Sequence, residues 1–193
     1  MDHVEGLLQR LYTEGKSTDA KATTREAKML NITPSTGAFL DLLVRDSQPK
    51  RILEIGTSNG YSTIWLARAA KDVSAELDSV EQSDWKVQQA TQNIGEAGLL
   101  DVVRIFHGGA EEFLRLSEGG LYDLIFLDSD RSAYERWWPD LLRVSRGGLF
   151  VVDKASTHPL EVAGFRKLVC ATSGCSAVTV PIGNGLLVIS GME

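Results

Sequence analysis

Four short stretches of this chain set chemistry-bearing residues directly after apolar runs. Glycines bracket the turn in "LEIGTSNGYS", from Gly56 to Gly60, and a lone carboxylate, Glu81, ends "AELDSVE". Asp128, Ser129, Asp130 and Arg131 follow "YDLIFL", and Asp153 and Lys154 follow "GLFVV". Gly56 and Gly60 permit a tight strand-to-helix turn and let a ligand approach the backbone. A carboxylate one βα unit later can accept hydrogen bonds from both hydroxyls of a ribose. Singly, each has a plainer reading: the glycines as a structural turn, Glu81 as an acid favoured at a helix N-terminus. Together and in this order they point to a nucleoside ligand. Two aspartates, each just past a strand, are hard oxygen ligands of the kind a divalent cation takes. The lysine beside the second is not, because an ammonium within about 4 Å repels such an ion. Asp153 next to Lys154 is therefore the pattern that needs explaining.

These residues must be positioned by regular elements, and the sequence supplies them. Thr33 and Pro34 begin a helix in "LNITPSTGAFLDLLVRD", with Phe39, Leu42 and Leu43 as its apolar stripe. "RILEIG", "AELDSVE", "DVVRIF", "YDLIFLD" and "GLFVVD" read as strands, and helical stretches alternate with them. Ser83 caps the helix "DWKVQQATQNIGEAG", which ends near Gly98. Pro139 bends or interrupts the helix "AYERWWPDLLRVS", and Pro159 begins "PLEVAGFRKLVC". "SAVTV" and "GLLVIS", joined by "PIGN", close the chain as a hairpin. Alternation of strand and helix, with continuously apolar inner strands, predicts an α/β fold: a parallel sheet covered by helices on both faces. Ligands in such folds bind beyond the carboxyl ends of the strands, where the residues above fall.

Bulk properties narrow the classes. The 193 residues suit one domain, with 1–33 as an N-terminal helical extension, and the 43% hydrophobic share supplies a core. A net charge of −6 and the lack of a basic run argue against nucleic acid as a partner. The acidic start "MDHVEGLLQR" lacks a signal-peptide pattern, and no apolar run approaches the roughly 20 residues of a membrane span. Cys170 and Cys175 make no metal pattern and read as reduced thiols, so a cytoplasmic protein with no membrane partner is expected. The nicotinamide fingerprint is missing, since Thr57 and Ser58 follow Gly56, which disfavours an oxidoreductase.

"ILEIGTSNGYSTIWLA" resembles the first motif of class I S-adenosylmethionine-dependent methyltransferases. More closely, the chain resembles the caffeoyl-CoA/catechol type of O-methyltransferase. The segments that carry this are "MLNITPSTGAFLDLL", "YDLIFLDSDRSAY", "LLRVSRGGLFVVDKA" and "VPIGNGLLV", in the family's order and reaching from Met29 to Ile189. The resemblance implies a Rossmann-like, doubly wound sheet of order 3-2-1-4-5-7-6 with its last strand antiparallel. It implies S-adenosyl-L-methionine as cofactor, with Glu54, Gly56, Thr57 and Ser62 around its methionine portion and Glu81 on the ribose. Ala110 falls at the adenine wall with Glu111 close by, and Ser129 and Asp130 flank it. Glu111 reads equally as a solvated first-turn acid. Trp85 packs beside the adenine or, as a Trp two residues into a helix, belongs to the core.

At the acceptor end the family uses a divalent metal held by two Asp and an Asn, with a Lys as general base. This chain keeps Asp128 and Asp153 but has Lys154 in place of the Asn and Arg131 in place of the base. Three readings of Lys154 follow: its ammonium substitutes for the metal between the carboxylates, it points to solvent, or a metal is kept by other ligands. The charge argument favours the first and makes a divalent metal doubtful. Arg131 stays protonated and is a poor base. His158 is either a base that titrates near neutrality or a helix cap. Trp137 and Trp138, adjacent on a helix, are expected to face different ways, one in the core and the other exposed or at an interface. The expected function is O-methyl transfer to a small acceptor, a phenol among the candidates, without a metal. The alternative is a cofactor-binding protein with lost or altered transfer. A homodimer is expected from related enzymes and from an exposed Trp that would need cover.

Overall fold

In the computed structural model, which describes residues 3–191, helices α1 (His3–Lys21) and α2 (Pro34–Ser47) precede an alternating βα core. That core runs β1 (Arg51–Ile55), α3 (Tyr61–Val73), β2 (Glu76–Glu81), α4 (Asp84–Glu96), β3 (Val103–His107), α5 (Ala110–Leu116) and β4 (Tyr122–Leu127). It continues through a 3₁₀ turn (Arg131–Ala133), α6 (Tyr134–Val144), β5 (Ser145–Val152) and α7 (Pro159–Ala171) to the hairpin β6 (Ser176–Val180) and β7 (Leu186–Ser190). The sheet order is β3-β2-β1-β4-β5-β7-β6; β1 to β5 are parallel, and β7 is antiparallel to both of its neighbours. This is the α/β, Rossmann-like sheet that the alternation and the resemblance predict.

Successive strand residues point to opposite faces, so each inner strand feeds two cores. Ile52, Phe126 and Val151 pack with Leu40, Val44, Ile64 and Leu66 on one face. Leu53, Ile125, Leu127 and Phe150 pack with Leu141, Trp138 and Phe165 on the other. Helices α1 to α4 therefore cover one face and α5 to α7 the other, which buries both sides of β1, β4 and β5.

Local signals held to differing degrees. Thr33 caps α2 by accepting from the Thr36 N–H at 3.1 Å, with Pro34 in the first turn. Ser83 occupies the N-cap position of α4, but its side chain makes no capping bond, a correction to the sequence expectation. Its N–H instead donates to Glu81 Oε1 at 2.9 Å. Pro139 does not interrupt α6, which runs unbroken from Tyr134 to Val144. Pro139 is the sixth of its 11 residues, so the carbonyl it leaves without a donor is that of Glu135, in the first turn. Trp137 and Trp138 are both buried, at 9% and 2% exposure, which also overturns the expectation. Residues about 100° apart on a helix can both be covered when flanking elements widen the buried arc. Here Phe165 of α7 lies 5.3 Å and Phe150 of β5 lies 5.1 Å from the Trp138 ring, while Tyr134 packs against Trp137. Trp85 is 39% exposed and joins no core, with the Lys86 ammonium 5.6 Å from its ring. No helix among the described residues is long and apolar enough to cross a membrane.

Candidate active site

Register brings the predicted residues into one row. Ile55 pairs with Val80 and Leu127, and Leu127 pairs with Val152. Gly56, Glu81, Asp128 and Asp153, each at or one step past these positions, line the carboxyl ends of β1, β2, β4 and β5.

The Gly56 backbone has φ +109°, and a Cβ there would run into the Asp128 carbonyl, so only glycine lets the turn after β1 pass this close to β4. Glu81 is nearly buried, and its two oxygens each accept one backbone N–H at 2.9 Å, from Ser58 and from Ser83. Those bonds fix the carboxylate plane and leave it further acceptor sites, as a ribose diol requires. Ser129 Oγ is buried without a partner, and its N–H donates to the Tyr134 hydroxyl at 2.8 Å. A constrained glycine turn, an oriented carboxylate and an orphaned hydroxyl at one crevice fit a nucleoside cofactor.

Glu54, Thr57 and Ser62 form a buried network of their own. Ser62 and Thr63 hydroxyls each donate to Glu54 at 2.5 Å, and Ser79 donates at 2.6 Å. Thr57 Oγ1 lies 2.5 Å from Ser79 Oγ. Complete burial pushes the Glu54 carboxyl up to about 7, against the pull of its hydroxyl donors. Ala110 and Glu111 begin α5, and Glu111 pairs with Arg136 at 3.0 Å, both side chains more than half exposed, as a solvated first-turn acid does. Asp130 accepts from Ser132 N–H at 3.1 Å and starts the 3₁₀ turn.

The β4 and β5 ends hold the charged cluster. The Lys154 ammonium donates to Asp128 Oδ1 at 2.6 Å and lies 3.4 Å from Asp153 Oδ2. The second contact has ion-pair length but not hydrogen-bond direction, and neither Asp153 oxygen has a hydrogen-bond partner. All three side chains are at least nine-tenths buried or close to it, with Asp153 fully so. Burial and the neighbouring Asp128 raise the Asp153 carboxyl well above its usual range, and Lys154 only partly offsets this. Burial opposes the Lys154 charge, but Asp128 and Asp153 outweigh it and hold the ammonium protonated. Lys154 has φ +64°, a left-handed backbone that a long side chain adopts at a cost. Arg131, 5% exposed, points to Glu161 of α7 at 2.7 Å and ties the post-β4 turn to that helix. His158 precedes α7 without capping it through its side chain, and Nδ1 meets Thr157 Oγ1 at 3.0 Å. Only Ala155 to His158 separate the cluster from α7, so the connection is as short as the sequence suggests.

Sequence reasoning missed Ser58 and Lys86. Ser58 donates through Oγ to the Met29 carbonyl at 2.8 Å, and Lys86 donates to the Lys28 carbonyl at 2.8 Å. The one available signal was a non-glycine residue inside a glycine turn; nothing in the sequence marks Lys86.

Comparison with known proteins agrees with this geometry. A family model described as O-methyltransferase matches residues 9–162. A catechol O-methyltransferase of Niastella koreensis is 36% identical over 167 residues, 79% of this chain and 75% of that protein. One from Mycobacterium tuberculosis is 36% identical over 137 residues, 69% of this chain and 61% of the other. The crystal structure of a Bacillus cereus O-methyltransferase in complex with SAH superposes with a TM-score of 0.80 at 25% identity, over 96% of this chain and 90% of that one. A match across most of the domain, joined to a crevice built for a nucleoside, shows that the chain belongs to the S-adenosylmethionine-dependent O-methyltransferase family.

Proposed function

We propose that this methyltransferase acts on the hydroxyl of a small phenolic acceptor, and that the Lys154 ammonium does the electrostatic work a divalent cation does in related enzymes. The observation that carries this is Lys154 at 2.6 Å from Asp128 and 3.4 Å from Asp153. The donor set does not fit a divalent ion. Asp128 already accepts from a fixed positive charge, and the side chain that would be a third ligand is itself a cation. Among the described residues no group of three His, Cys, Asp or Glu side chains is placed to hold a metal.

S-adenosylmethionine supplies a methyl group on a sulfonium, so the protein's task is to align the acceptor oxygen and favour its anion. A phenol with a pKa of about 10 is mostly neutral at pH 7. Beside a desolvated ammonium its oxyanion is stabilised, because charge interactions strengthen where water is excluded. Lys154 is held protonated and so acts as a charge, not as a base. Arg131 is committed to Glu161, and the phenolic proton leaves to solvent at the short, open loop before α7. A homodimer stands as a proposal on family grounds alone, since buried Trp137 and Trp138 need no cover; light scattering at high concentration tests it.

The decisive experiment is transfer of a labelled methyl group over a panel of phenols and catechols, with and without chelator. Turnover that survives chelation supports the reading. Turnover abolished by chelator and restored by magnesium overturns the role of Lys154. Cofactor binding without transfer to any acceptor points to a binding protein instead.

A further inference from the structure

Five non-glycine residues among those described have positive φ: Leu30, Gln48, Ser58, Ser74 and Lys154. Gln48 and Ser74 are ordinary left-handed helix C-caps. The other three have no capping role, and they converge on one place. Leu30 has φ +53°, Ser58 +49° and Lys154 +64°. Ser58 Oγ bonds the Met29 carbonyl at 2.8 Å, and the Lys154 ammonium lies 3.4 Å from the Leu30 carbonyl. Lys86 bonds the next carbonyl back, that of Lys28, at 2.8 Å. Three consecutive carbonyls are thus held by side chains from the first turn of α4 and from the turns after β1 and β5. From the other side, the Asp19 carboxylate accepts from the N–H groups of Met29 and Leu30 at 2.6 and 3.1 Å.

Strain of this kind persists only where surrounding contacts hold it, and it collects at sites that move or bind. The clasped segment crosses the carboxyl ends of the strands, where the cofactor crevice lies. Lys86 is half-buried there, and the charges acting on it are Glu81, the strongest, then Asp19, Asp128 and Glu26. The same Lys154 that bridges Asp128 and Asp153 reaches this segment.

We propose that Lys28–Leu30 is a strap across the cofactor crevice that must release for cofactor exchange, and that Lys86 and Ser58 are the positioning residues that hold it shut. The proposal rests on the S-adenosylmethionine reading of that crevice. Neither residue touches the reacting atoms, so their effect falls on residence of the cofactor. The two ends of the strap also differ: Lys86 holds it from the ribose side and Lys154 from the acceptor side, which links release of the cofactor to the acceptor cluster.

Dissociation of S-adenosylhomocysteine, followed by stopped-flow fluorescence, tests this in the full chain. Lys86→Met removes the ammonium but keeps the stem. Asp19→Ala loosens the strap by freeing the Met29 and Leu30 N–H groups. Ser58→Gly removes the hydroxyl while relieving its backbone strain, which keeps a folded variant in hand should Asp19→Ala melt early. Each should speed release about tenfold, the effect of losing a hydrogen bond of the strap on an off-rate. Hydrogen exchange at the Met29 and Leu30 amides should quicken in parallel. Faster release in Lys86→Met alone would mean that Lys86 contacts the cofactor directly, and the strap is overturned. Unchanged release in all three overturns it as well. Absence of any S-adenosylhomocysteine binding by the wild-type chain defeats the cofactor reading, and the strap with it; binding with unchanged release defeats the strap only.

Discussion

Two buried carboxylate clusters sit at opposite ends of one sheet and are satisfied to different degrees. At the amino ends of the strands, Asp78 accepts from Arg51 at 3.0 Å, Arg104 at 2.9 Å and Tyr122 at 2.8 Å. Two guanidinium groups and a phenol serve one carboxylate, and its lone pairs are filled. At the carboxyl ends, one ammonium serves two carboxylates, and both Asp153 oxygens lack a directed hydrogen bond. The first cluster pins β1, β2, β3 and β4 together and has nothing left to offer a ligand. The second carries unspent acceptor capacity, a strained lysine and a raised carboxyl, which is the condition of groups poised for chemistry rather than for rigidity.

Breaking the saturated cluster should cost the most stability. Asp78→Ala strands two arginines and a tyrosine, and about 3 kcal/mol is expected, moderated because Arg104 is half exposed and can turn to water. Urea denaturation reads this, and affinity for S-adenosylmethionine by calorimetry should hold among folded molecules. Breaking the unsaturated cluster should reverse that pattern. Lys154→Ala is expected to lower transfer about a hundredfold, in the range of losing a preorganised electrostatic partner. It also leaves Asp128 and Asp153 facing each other, so one should take up a proton near neutral pH. Full transfer by Lys154→Ala would end the electrostatic role.

Smaller effects sharpen the contrast. Glu81→Ala should weaken S-adenosylmethionine about tenfold by calorimetry, since a ribose hydroxyl loses its partner. Lys154→Asn places a residue tolerant of left-handed backbone at φ +64° and adds an amide oxygen to two carboxylates. Its melting temperature should rise with added magnesium, whereas that of the wild type should not. A wild-type shift of equal size would show that the native cluster already takes the ion.

The raised carboxyls fix a pH dependence. Glu54 moves from 4.5 to about 7, so it keeps its proton longer in the folded chain than in the unfolded one. Stability from this source is present below about pH 4.5 and is lost as pH rises through 7. Asp153, raised from 3.8, acts in the same direction at lower pH. Glu54→Gln should flatten the fall between pH 5 and 7 in denaturation midpoints; an unchanged slope would assign the dependence elsewhere.

The sequence alone determined the layered sheet, because continuous apolar strands separated by helices bury both faces in only a few ways. It also determined the row Gly56, Glu81, Asp128 and Asp153, since in a parallel sheet the residue after each strand falls at the same edge. It marked Lys154 as the departure that matters, because charge type is readable without coordinates. It misjudged Trp137 and Trp138, since helical spacing says which way a side chain points but not how wide an arc its neighbours cover. Only the tertiary structure decided that Arg131 turns to Glu161, that Glu54 is enclosed by three hydroxyls, and that Ser58, Lys86 and Lys154 grip one strap. Those contacts join residues from 8 to 124 positions apart, as with Ser62 to Glu54 and Lys154 to Leu30. Local pattern cannot see them, because a long flexible side chain leaves no periodicity and its partner is chosen by which chain ends the fold brings together.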